Sequence, residues 1–135
     1  MTDKLLLALV TISLSSIAAA TPLAPNKCPG AVEIINVGLD RAVVDQDRRG
    51  TWAVGYRSNA YGTNQNWTFA IGRVQAGNAD EAFARASGAL PTIQFIGGPK
   101  YIPQMKRWMC QYSTAAGYEA AAVTPIIGSI AAISG

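Results

Sequence analysis

The chain has 135 residues, 50% of them hydrophobic and 14% charged, with two cysteines, no histidine and a formal net charge of +3. This composition describes one globular domain and excludes disordered and collagen-like chains. The missing histidine excludes a Ser-His-Asp or Cys-His nucleophile pair, histidine-held zinc or haem, and an imidazole proton relay.

The N-terminus reads as an export signal. Lys4 and the terminal amine outweigh Asp3, residues 5–19 carry no charge, and Ala18-Ala19-Ala20 supplies the small residues a signal peptidase needs. Cleavage is expected between Ala20 and Thr21, with a cut after Ala24 as the alternative. Residues 5–20 are shorter than the roughly 20 residues that span a bilayer, so no stable membrane span is expected after cleavage. No cysteine directly follows the apolar stretch, as a lipoprotein would require. Losing Asp3 and Lys4 together leaves the net charge unchanged, and the mature chain is about 115 residues, enough for one core.

Both cysteines lie beyond the signal. In an oxidising periplasmic or extracellular setting, two cysteines predict one bridge, Cys28–Cys110. A catalytic cysteine is disfavoured, because no histidine raises thiolate character and there is no Cys-x-x-Cys.

Residues 21–30, with three prolines, predict an extended arm. Residues 31–37 are rich in Val and Ile and predict a strand that bends at Gly38 or restarts over 41–45. Asp45-x-Asp47-x-x-Gly50 resembles the start of a calcium loop. Arg49 and Tyr56 stand where oxygen ligands belong, however, so a hairpin turn is expected. Period-two alternation over 51–58 and 66–74 predicts a hairpin with Trp52, Val54 and Tyr56 beside Trp67, Phe69 and Ile71. Asn78 and Glu81 form a variant capping box, and Ala79, Ala82, Phe83, Ala86 and Leu90 share one helical face, which predicts a helix over 79–87. A short strand over 92–96 is expected to break at Gly97-Gly98-Pro99. Strands follow over 107–113 and 118–124, and an apolar tail over 125–135 is too short to cross a membrane. No internal repeat stands out. The order predicts an α+β domain over 31–124, an antiparallel sheet of about five strands with one helix on a face.

Candidate sites are few. Gly97-Gly98-Pro99-Lys100 lacks the spacing and hydroxyl of a phosphate loop. Only Glu33 and Glu119 interrupt apolar sequence as a carboxylate hydrolase would use them. Asn59, Tyr61, Asn64 and Gln65 combine an aromatic face with amides and form the expected ligand-binding loop, with Tyr61 exposed at its tip. Arg48-Arg49 and Lys106-Arg107 read as solvated pairs, so no nucleic-acid partner is expected. No metal or cofactor is expected either. A protein or an envelope or host polymer is the expected kind of partner. A small hydrolase using carboxylates and a structural envelope component stand as the alternatives to a binding module.

Trp-x-Phe-x-Ile at 67–71, an alanine-rich helix, Trp-x-Cys-x-Tyr at 108–112 and Gly-Tyr-x-Ala-x-Ala at 117–122 give a layout similar to small exported bacterial proteins grouped only as a domain of unknown function. The resemblance covers most of the mature chain and implies a bacterial exported domain. Its motifs are framework residues, so it implies no activity.

Overall fold

The computed structural model describes residues 21–134; the expected export signal, residues 1–20, lies outside them. After the arm, the chain forms α1 (Ala31–Val37), then β1 (Arg41–Val44), β2 (Thr51–Asn59) and β3 (Trp67–Gln75). A helix, α2 (Ala79–Ala89), and a 3-10 turn (Leu90–Thr92) lead to β4 (Gln94–Ile102), β5 (Arg107–Ser113) and β6 (Glu119–Thr124), and a short α3 (Ala131–Ser134) follows. The strands build one sheet in the order β1-β2-β3-β6-β5-β4, and every neighbouring pair is antiparallel. The fold is α+β, with six strands rather than about five.

The strand expected over residues 31–37 is a helix. Ile34 is fully buried, Ala31 and Ile35 pack beside it, and Val32 and Glu33 face out. Offsets of three and four residues from Ala31 define a helical face, and a seven-residue apolar run carries that pattern too briefly to outweigh its β-branched composition. Gly38, at φ 80°, ends the helix, and its N–H donates to the Ile34 carbonyl. Helix α2 begins as expected: the Asn78 side chain accepts from the Glu81 N–H at 2.9 Å. It runs two residues past the expected end, through Gly88.

One face of the sheet carries the main core. Val54, Trp67, Phe69, Ile71, Cys110 and Tyr112 meet Ile34 of α1 and Ala82 and Ala86 of α2. The alanines let α2 lie close to the sheet, and the aromatic side chains supply the volume. Each fully buried large side chain contributes about 1.5–3 kcal/mol. Phe69 and Tyr112 meet edge to face, with centroids 6.1 Å apart.

Strand β4 does not stop at Gly97-Gly98-Pro99. It continues along the sheet edge with register shifts on both sides of Gly97. Proline is tolerated there because an edge residue need not donate outward. Gly98 is required by both backbone and space: its φ is 124°, and a Cβ would sit 2.6 Å from the Met109 carbonyl oxygen.

The opposite face is covered in part by the segment after Thr124. Arg107 donates to the carbonyls of Pro125 at 2.8 Å and Ile126 at 3.0 Å, and Thr68 Oγ1 accepts from the Ile127 N–H at 3.1 Å. Ile130 then sits on Ala53 and Ala70. Arg107, expected to be solvated, therefore holds chain carbonyls.

A repeat absent from the sequence reading is present in the topology. Each half of the chain runs helix then three strands, and the sheet order reads the same from either edge about the β3–β6 seam. The middle strands of the halves share a pattern: Trp52-x-Val54-x-Tyr56 in β2 and Trp108-x-Cys110-x-Tyr112 in β5.

Candidate functional site

The structure gathers Asn59, Tyr61, Asn64 and Gln65 in one loop between β2 and β3, but Tyr61 is not an exposed tip. Asn59 Oδ1 accepts from the Tyr61 N–H at 2.8 Å, which turns the backbone into a left-handed conformation at φ 48°. The ring then enters the main core and is only 3% exposed. Among the described residues, its hydroxyl is a buried polar atom without a hydrogen-bond partner. Burial, with smaller contributions from Tyr56 and Asp40, pushes its pKa above the ordinary tyrosine value.

The amides of this loop bind the chain itself. The Asn26 N–H donates to Asn64 Oδ1, and the Asn64 N–H lies 3.4 Å from Asn26 Oδ1. Gln65 Nε2 donates to the Leu23 carbonyl at 2.8 Å, while its Oε1 stands 2.9 Å from the Thr124 hydroxyl. Further along the arm, Trp108 Nε1 donates to the Pro22 carbonyl at 3.0 Å and the Tyr112 hydroxyl donates to the Pro29 carbonyl. Cys28 and Cys110 are joined, with Cα atoms 5.9 Å apart. The loop and β5 together clamp the arm over the sheet. Burial raises the Tyr112 pKa as well, with Tyr61 adding to it.

A different surface has the shape of a ligand site. On the sheet face away from α1 and α2, a groove of about 300 Å³ is floored by Ala70, Gly72 and Ala121 and walled by Ile96, Met109 and Ile133. Its polar groups are Arg73, Gln111 and Glu119. The floor is a row of cross-strand partners: Ala70 faces Ala121, Ala121 faces Gln111, and Gln111 faces Gly97. Small residues of the adjacent strands β3 and β6 make the hollow, larger side chains of β4 and β5 flank it, and the terminal segment closes one side of it through Ile133. A second hollow of about 270 Å³ continues across Met109 and Gln111 towards Lys100 and Ile102.

Glu33 and Glu119 do not converge. Glu33 is exposed on α1, against the main core, whereas Glu119 lines the groove on the opposite face. Glycoside hydrolysis by a carboxylate pair needs two such groups facing one bond.

Arg73 and Gln111 were not singled out by the sequence. The signal available was Arg73 itself, a charge between the buried Ile71 and Val74 of a strand that is buried up to that point. Its position on the groove depends on a bulge: Val54 pairs with Ile71 and Trp52 with Val74, so Ala53 opposes both Gly72 and Arg73. Such a bulge re-aims a side chain, and Arg73 adopts φ 57° there.

Among the described residues no helix is long and apolar enough to cross a membrane. The disulfide fits a small exported domain. Compared with protein-family models, curated proteins and solved structures, the chain matches none.

Proposed function

We propose that the chain is an exported bacterial domain, periplasmic or secreted, that acts by binding a small ligand or the terminal unit of a larger polymer in the groove over Ala70 and Ala121. The groove carries this reading, because it joins an apolar floor to polar groups at one rim. The loop of Asn59, Tyr61, Asn64 and Gln65 is less suited to the task, since its aromatic ring is buried and its amides hold the arm. With one carboxylate in its lining, the groove suits binding better than hydrolysis by a carboxylate pair.

A thermal-shift panel of sugars, amino acids, short peptides and fatty acids tests the reading, since a ligand that binds only the native state raises Tm. At least one class should raise Tm, and Gln111→Trp should abolish that rise. Gln111 is exposed at the groove, so an indole there obstructs the site without disturbing the core. A panel without any stabilising compound, or one that stabilises Gln111→Trp equally, would overturn the proposal.

A further inference from the structure

Two opposite charges stand side by side at the groove rim. Glu119 of β6 is the direct partner of Gly72 in β3, and Arg73 follows Gly72. Neighbouring strands lie about 4.8 Å apart, so the guanidinium and carboxylate stems start from adjacent positions. Both residues are exposed, and among the described residues neither takes part in an ion pair, the pairs being Arg41–Asp40 and Arg85–Glu81. The bulge holds Arg73 at this rim in a backbone conformation that favours glycine.

A purely anionic ligand over this rim meets Glu119, and a purely cationic one meets Arg73. A ligand with both signs, one strand spacing apart or less, satisfies both. An amine and a carboxylate on one carbon have that separation, whereas the ends of a peptide are farther apart. Beyond the rim the floor is alanine and glycine, walled by Ile96 and Met109. A volume of about 300 Å³ lies at the small end of ligand pockets.

From this juxtaposition we infer that the groove takes the zwitterion of an apolar α-amino acid. Its carboxylate accepts from Arg73, its ammonium donates to Glu119, and its side chain lies on the Ala70–Ala121 floor. The inference rests on the proposal that the groove is a ligand site and adds the class of ligand. Arginine suits the carboxylate because its donors form a fork that meets both oxygens.

The test is an amide chemical-shift titration of the disulfide-bonded chain with L-leucine, N-acetyl-L-leucine and L-leucinamide. Leucine should shift Met109, Gln111 and Ala121 saturably, and each blocked form should bind at least tenfold more weakly. Arg73→Gln should remove the preference over leucinamide, and Glu119→Gln the preference over N-acetyl-leucine. Unchanged core amides in both variants would show that the fold is retained. Blocked forms that bind in the groove as tightly as leucine would overturn the zwitterion while leaving the groove a ligand site. Absence of shifts at these amides with leucine, isoleucine and phenylalanine would also overturn it, and the thermal-shift panel judges the groove separately.

Discussion

Tyr61 is the residue whose chemistry and placement are most at odds. Its ring fills core volume while its hydroxyl is buried without a partner, a loss on the order of 1–3 kcal/mol relative to a satisfied group. Tyr61→Phe keeps the ring and removes the unpaired oxygen, so stability at neutral pH should hold or rise; Tyr61→Ala should cost about 3–5 kcal/mol through the cavity it leaves. The same burial sets a pH dependence. Tyr61 and Tyr112 have pKa values raised above the ordinary value of 10.0, so the folded state retains protons that the unfolded chain loses. Their contribution is therefore full below pH about 10 and is lost as pH rises beyond it. Urea unfolding at successive pH values should show this loss, and Tyr61→Phe should make it shallower. An unchanged slope in the variant would mean that Tyr61 does not titrate with unfolding.

The segment after Thr124 shows how an element with little regular structure is fixed. It makes one short helix, but Arg107 and Thr68 fix its backbone and Ile130, 2% exposed, fills the space above Ala53 and Ala70. Ile130→Ala should cost about 2–3 kcal/mol in urea unfolding and raise amide exchange across residues 127–133. Unaltered exchange there would show that the segment does not depend on this anchor. Its docking was not legible in the sequence, since an eleven-residue apolar run does not say whether it packs or frays, or against what. The central hairpin and the start of α2 were legible, because alternation and the Asn78–Glu81 spacing are local signals. Helix α1 and the full length of β4 were not: one is too short for its period to dominate, and the other passes through residues that normally stop a strand. The loop site failed for a related reason. Composition marked residues 59–65 as a polar loop, but Tyr61 turns inward through a left-handed backbone that composition does not announce. The groove is assembled from residues of four strands, with its alanines and glycine on β3 and β6, so it exists only once the sheet order is known.

At the scale of the molecule, two helix-plus-three-strand halves share one sheet, and the β3–β6 ladder joins them. The Cys28–Cys110 bridge also crosses from the first half to the second, over a separation of 82 residues. In the chain-entropy view, closing a loop of that size is worth on the order of 4 kcal/mol, so reduction should lower Tm by several degrees. The crossing has another consequence. The peptide link between the halves runs through Gly77 and Asn78, both exposed, while the bridge ties them independently of that link. Continuity of the backbone and unity of the molecule are therefore separable. A protease site inserted after Gly77, cut in the folded oxidised protein, should yield two chains that migrate as one species without reductant and as two with it. Dissociation under oxidising conditions would show that the bond is absent, because each fragment holds a single cysteine. The native assembly would then resemble a covalently tethered pair of small domains, each supplying half of a common sheet.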